Sequence, residues 1–370
     1  MGQGGTRLQA TLARPFSASG AGLHTGRTAS VTVGPAPPDA GIVFTVHDGP
    51  SSVRVRPDWR TRAPSRMNTA LALGRDGKLR TIEHLMASLS GLGIDNARVE
   101  VRGRELPILD GSAAPWCDGI ADAGIAEQDA PRRYLAIRRP VQVRQGRSFI
   151  RGEPHRRLAL DVTTDQLPGF GPLGWCGEIT PESFVRELAP SRSFGRIQGV
   201  WTRSALGRAA ERVGSGLRAG LRAGLGGALD LPHLPRAWST ADRQPGRRNV
   251  PCPDCPDLMP LHVREAMRPP DGEPLLRGAR PGRCAVVIGR HILGGARFPD
   301  EPVRHKALDL LGDLTLAGAP LLGRIVAHRP THALAYAFVA ALIEDGVAFD
   351  DESPRRTPAA RPRALAEAGC

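Results

Sequence analysis

Two hydrophobic rhythms alternate along the chain. Residues 27–36 (RTASVTVGPA) and 41–49 (GIVFTVHDG) carry β-branched and apolar residues in alternation or short runs, bounded by Gly and Pro, which predicts strands. Residues 79–93 (LRTIEHLMASLSGLG) switch to helical spacing, with Ile82, Leu85, Met86 and Leu89 on one face and Gly91 as a stop. Residues 95–103 (DNARVEVRG) alternate again and place Ala97, Val99 and Val101 on one side of a strand. Residues 107–124 then predict a turn and a second helix. Strands and helices in this order make a compact α+β unit of about 125 residues.

The plan repeats in order, though not in residues. A cluster of Pro and charge at 127–137 (EQDAPRRYLAI) predicts a linker. Beyond it, strands are predicted at 134–146, 156–165, 284–289 and 321–329, with a helix at 301–318 before the last strand and an amphipathic helix at 331–345 after it. Two domains are therefore expected, 1–128 and 129–348. Two segments break the pattern. Residues 231–283 are rich in Pro and poor in apolar periodicity, which predicts an insertion, and the Pro- and Arg-rich residues 349–370 predict a disordered tail.

Composition narrows the function. No apolar run reaches the ~18 residues of a membrane span, and the N-terminus lacks the basic-then-apolar layout of a signal peptide. Six cysteines are too few for a disulfide scaffold, so a cytoplasmic protein is expected, free of a membrane span but open to peripheral association. The formal charge of +13 raises nucleic-acid binding as an alternative. Against it, the cations are scattered and aromatics make up only 4%, leaving few platforms for base stacking. Nearly every cation is Arg, as in the usage bias of a GC-rich genome; Lys occurs only at Lys78 and Lys306. Cys252 and Cys255 form a lone CxxC without a second pair, and no phosphate-binding GxxxxGK[ST] loop occurs.

Candidate chemistry concentrates on the helices. His305 and Asp309 stand i and i+4 on one face of the 301–318 helix, a spacing that can supply two ligands to a divalent metal such as Zn²⁺, and also that of a solvated pair. Glu83 and His84 are adjacent in an apolar setting, and a carboxylate beside a metal-bound imidazole suits hydrolysis. His332 opens the last helix, where the dipole disfavours an imidazolium unless a carboxylate offsets it. Asp313, one turn beyond Asp309, is a candidate for that offset, and His328 is the competing histidine. Lys306 stands out in a chain that otherwise writes Arg, as expected where a compact ammonium is needed.

Six segments together resemble the UDP-3-O-acyl-N-acetylglucosamine deacetylase family: SGAGLHTGR (19–27), TIEHLMASLSGLGIDNARVEV (81–101), LPILDGSAAPW (106–116), APSRSFG (189–195), ARFPDEPVRHKALDLLGDLTLAG (296–318) and GRIVAHRPTHAL (323–334). The resemblance implies an α+β fold of two β-β-α-α-β units, helices inside and sheets outside, with the active site between them. It implies a zinc amidohydrolase of lipid A biosynthesis, acting as a monomer on a UDP-linked acylated glucosamine, with no nucleic-acid partner. It makes His84, His305 and Asp309 the Zn²⁺ ligands and Glu83 the general base. It makes His332, held by Asp313, the acid that protonates the leaving nitrogen, with Lys306 and the Ser193 hydroxyl on the oxyanion. Arg329 would anchor the diphosphate, and Phe194 would face substrate. The acyl passage has two candidates, residues 169–175 and the segment after Phe194.

The sequence departs from the family at three places. Ser193 stands where Thr is usual, and Arg329, Pro330 and Thr331 replace the usual Lys-Ser-Gly before His332. After Phe194 the family pattern is lost until about residue 284. The last departure frames a second expectation, the same fold with activity lost through the aberrant 196–283 region.

Overall fold

The computed structural model describes residues 7–48, 51–74, 77–167, 170–196, 275–280, 282–288, 291–345 and 347–350. Most of the expected insertion (231–274), including Cys252 and Cys255, and most of the expected tail (351–370) lie outside the described residues. The class is α+β, as the sequence pattern implies.

The chain opens with β1 (Leu8–Leu12), β2 (Phe16–Ala21), β3 (Thr28–Pro35), β4 (Ile42–Asp48) and β5 (Ser51–Val55). Three short strands follow, β6 (Arg62–Ala63), β7 (Ala70–Leu73) and β8 (Gly77–Arg80), then α1 (Glu83–Gly91), β9 (Ala97–Arg102) and α2 (Ala114–Ala123). The first large sheet has the order β2-β3-β9-β4-β5. Its central strand β9 runs antiparallel to β3 and parallel to β4. Ala97, Val99 and Val101 are fully buried, the face that alternation predicts.

The second unit rebuilds this sheet. It comprises β10 (Ile125–Pro131), β11 (Tyr134–Ile137), β12 (Val141–Gln145), β13 (Ser148–Glu153), β14 (Leu158–Thr164) and β15 (Leu173–Glu178). Next come a small sheet of β16 (Phe194–Arg196), β17 (Ala285–Ile288) and β18 (His291–Ile292), then α3 (Glu301–Leu314), β19 (Leu321–His328), α4 (His332–Asp345) and β20 (Val347–Asp350). β19 is antiparallel to β13 and parallel to β14, while β12 and β15 flank them. The order β12-β13-β19-β14-β15 therefore matches that of the first sheet. In both units the central strand follows a helix, α1 or α3, as a parallel crossover requires.

The linker expected at 127–137 is instead structured. β10 pairs antiparallel with β1, and β11 joins the second sheet beside β19 and β20. Pro131 falls at the very end of β10, where a missing N–H costs no internal ladder bond.

Helices fill the space between the sheets. α1 packs on α3, and α4 packs on α3, β12 and β13. One contiguous apolar core runs through both units, from Val31, Val99 and Leu85 to Leu308, Ile325 and Phe338. α1 is buried nearly all round, including Glu83 and His84, so its polar residues must find partners inside the protein. Gly312 of α3 permits the helix contact, since a Cβ there would lie 2.2 Å from the backbone oxygen of Glu83.

Candidate active site

The first turn of α1 delivers Glu83 and His84 to the seam between the units. Opposite, α3 presents His305, Asp309 and Asp313 in one stripe, because residues four apart stack along a helix face. His84 Nε2 and His305 Nε2 lie 3.6 and 3.4 Å from Asp309 Oδ1. One ligand atom from each of the three residues falls within 4.8 Å of the others. His305 Nδ1 donates to the Ser191 carbonyl at 3.1 Å, which leaves Nε2 free to face the cluster, the tautomer control usual for metal-binding imidazoles. Among the described residues, Asp309 Oδ1 is buried without a hydrogen-bond partner. An orphaned carboxylate oxygen facing two imidazole nitrogens is what a bound cation would satisfy, and two His with one Asp suit Zn²⁺ with a position left for water. The residues therefore fit a divalent metal.

Electrostatics separate the two carboxylates of the cluster. Burial pushes the Glu83 carboxyl up to about 7, against the opposing pull of His332 and His84. Asp309 is less deeply buried, and His305, His84 and His332 together hold it below the usual carboxylate range. Burial lowers His305 to about 4. Burial likewise disfavours the His332 cation, but the Asp313 carboxylate, with Asp309 and Glu83 behind it, holds the ring up at about 10. One group poised near neutrality as a base beside another held as a cation is the division of labour of acid–base catalysis.

Asp313 is the partner of His332, with Nδ1 donating to Oδ2 at 2.9 Å. This resolves the choice left open between the histidines: His328 bonds Thr163 Oγ1 at 3.0 Å and lies near Asp165, away from the cluster. Thr331, the residue that replaces the usual glycine, accepts the Leu334 N–H at 3.2 Å. It is thus the N-cap of α4 and steadies the turn that carries His332.

The remaining expected residues divide. Ser193 Oγ lies 3.0 Å from His305 Nε2 and 3.4 Å from His84 Nε2. Its place is fixed from behind: buried Glu301 accepts the backbone N–H and the guanidinium of Arg192, plus the Arg297 N–H. Lys306 Nζ donates to the Pro330 carbonyl at 3.1 Å, and burial lowers its pKa. Phe194 meets the His305 ring edge-on at 6.1 Å between centroids. Arg329 instead pairs with Asp165 and does not line the cavity. The cavity between the units, open to solvent, has a volume of about 330 Å³, with Glu83, Asp309 and His332 in its wall and Leu23, Phe194 and Leu276 adding apolar surface. Of the two acyl-passage candidates, the segment after Phe194 lies outside the described residues beyond Arg196, although Phe194 itself lines this cavity. Described residues 170–175 lead into β15, which pairs with β14 on the side away from β19, and none of them lines the cavity.

Sequence reading missed Thr69, whose N–H donates to Glu83 Oε2 at 3.0 Å and whose hydroxyl bonds Asp313. It also missed Glu301. Neither belongs to a spacing pattern that marks chemistry; only the chain's path brings them there.

The family profile described as "LpxC: UDP-3-O-acyl N-acetylglycosamine deacetylase" matches residues 9–212 and 267–344, skipping part of the stretch where the sequence pattern fails. The chain is 32% identical over 363 residues to the UDP-3-O-acyl-N-acetylglucosamine deacetylase of Anaeromyxobacter sp. (strain Fw109-5), covering 95% of this chain and 96% of that one. It is 32% identical to the protein of the same name from Myxococcus xanthus (strain DK1622), covering 94% and 90%. A third such protein, from Syntrophotalea carbinolica, is 33% identical, covering 88% and 84%.

Proposed function

Because the chain belongs to the UDP-3-O-acyl-N-acetylglucosamine deacetylase family, we propose that it hydrolyses the acetamide of a UDP-linked, 3-O-acylated N-acetylglucosamine. The products are acetate and a free amine, as a cytoplasmic, zinc-dependent step of lipid A biosynthesis. The convergence of His84, His305 and Asp309 from two units onto one point carries this reading.

His84, His305 and Asp309 would hold Zn²⁺, which supplies Lewis acidity for the acetyl carbonyl and acidifies water. Glu83, buried and with its pKa near neutrality, takes a proton from the attacking water. The tetrahedral oxyanion lies within reach of two donors, the Lys306 ammonium and the Ser193 hydroxyl, and preorganised donors of this kind are worth about 3 kcal/mol each. His332, kept cationic by Asp313, gives its Nε2 proton to the glucosamine nitrogen, since an amide anion would be too poor a leaving group. The apolar surface of Leu23, Phe194 and Leu276 offers the acyl chain a path out of water. Arg329 would reach the diphosphate by exchanging Asp165 for it.

Acetate release from the UDP-linked substrate, assayed with metal analysis of the purified protein, tests the proposal. Zinc near one equivalent per chain and turnover lost in Glu83→Ala are expected. Protein that binds no zinc, or a Glu83→Ala variant at full rate, overturns it.

A further inference from the structure

Thr69 precedes β7 on the small sheet of the first unit and is almost fully buried. It touches both halves of the acid–base pair. Its carbonyl accepts the Ile82 N–H at 3.3 Å, which ties it to the residue before α1. Its N–H donates to Glu83 Oε2 at 3.0 Å. Its hydroxyl contacts Asp313 Oδ1, across the seam in the second unit, and lies 3.3 Å from His332 Nδ1.

Proton accounting gives this network one assignment. The carboxylate of Asp313 accepts from His332 Nδ1–H on Oδ2, so the Thr69 hydroxyl must be the donor to Oδ1. Its lone pairs then face His332 Nδ1–H, the one remaining contact. Without that hydroxyl, among the described residues only the His332 imidazole would donate a hydrogen bond to Asp313.

We propose that Thr69 is a positioning residue for deacetylation, a strut that fixes the spacing of Glu83 and His332 across the seam between the units. The inference rests on Glu83 as base and His332 as acid. The two must act on neighbouring atoms of one tetrahedral carbon, so a shift of about 1 Å between them is costly to rate. Thr69 contacts the groups that hold or move protons, and its effect falls on the chemical step rather than on substrate affinity.

Thr69→Val keeps the side chain's shape and the backbone donor but removes the hydroxyl; Thr69→Ser keeps the hydroxyl. The valine variant should lose about tenfold or more in kcat, with KM and zinc content within about twofold of the parent. The serine variant should recover kcat to within about threefold. In proton NMR, the His332 Nδ1–H resonance should sit at the same downfield position in parent and serine variant and move in the valine variant. A valine variant with kcat within about twofold of the parent, or a serine variant as impaired as the valine one, overturns the proposal. If Thr69→Val does not fold, Thr69→Ala takes its place under the same criteria. A parent protein that releases no acetate removes the functional reading alone. The Nδ1–H resonance then still decides for the strut if it moves and against it if it does not.

Discussion

The two units share the same five-strand order, extended by β11 and β20 in the second, yet use their helices in opposite ways. In the first, α1 gives the cluster only its opening turn, Glu83 and His84, and α2 lies against β2 without contributing to it. In the second, α3 contributes a stripe two turns long, His305, Asp309 and Asp313, and α4 adds His332 at its start. The division is also electrostatic. The first unit supplies a carboxylate that burial pushes toward neutrality, and the second supplies a carboxylate that three imidazoles keep ionised. A duplicated scaffold thus guarantees that α1 and α3 meet face to face, while sequence divergence decides which face does what. Neither unit holds all of the candidate metal and acid–base residues, which meet only at their seam.

The sharpest way to break that contrast is to neutralise each carboxylate in turn. Glu83→Gln should lower kcat by about 10²- to 10⁴-fold, the range for loss of a general base, while zinc content stays at the parental level. Asp309→Asn should lose zinc as well as turnover, because a neutral amide replaces an anionic ligand. Metal analysis beside acetate release separates the two. Equal zinc loss in both variants would mean that the two carboxylates do not divide metal holding from proton transfer.

How much of this was legible in the chain depends on whether a role follows from local spacing. The strands Ala97–Arg102 and Leu321–His328 and helices α1, α3 and α4 are written in periodicity, and each unit's order follows from them. The stripe His305, Asp309, Asp313 is legible because helical spacing alone aligns it. The joining of His84 to that stripe came from resemblance, since no local rule measures a distance across 221 residues. Thr69 and Glu301 were invisible for the same reason: their work is done through tertiary contacts, with residues 244 positions away in one case and 109 in the other. The supposed linker at 127–137 misled because Pro and charge mark a strand's end as readily as a loop. Only the pairing of β10 with β1 tells them apart.

A smaller effect follows from the helix contact itself. Gly312 faces the Glu83 backbone oxygen so closely that a methyl group at 2.2 Å has no room, and the obstacle is backbone rather than a side chain that can swing away. Gly312→Ala should destabilise the protein by about 1–3 kcal/mol, as overpacked cores do. It should also lower kcat, because α1 must retreat and take Glu83 and His84 with it. Denaturant melts and turnover on the same samples check this. Unchanged stability would mean that α1 and α3 slide freely and that their spacing is not what registers the two halves of the site.

The contrast between the units can finally be read without substrate, through the pH dependence of stability in chelator-treated protein. Glu83 rises from 4.5 to about 7 on folding, so the folded state holds its proton more tightly than the unfolded one. Stability must therefore fall as pH climbs through that interval, by about 3 kcal/mol, and stay lower above it. His332 acts with the same sign through a different cause: its folded value of about 10 exceeds 6.5, so its stabilisation is complete below about 6.5 and is lost as pH passes through about 10. Glu83→Gln removes the first fall and leaves the second. The variant should match the parent near pH 4, exceed it in stability by about 3 kcal/mol near pH 8, and still weaken toward pH 10. Denaturant midpoints at these three pH values measure the difference. Parallel curves for variant and parent would show that the first unit's carboxylate is ionised without cost, and the electrostatic half of the comparison would fall.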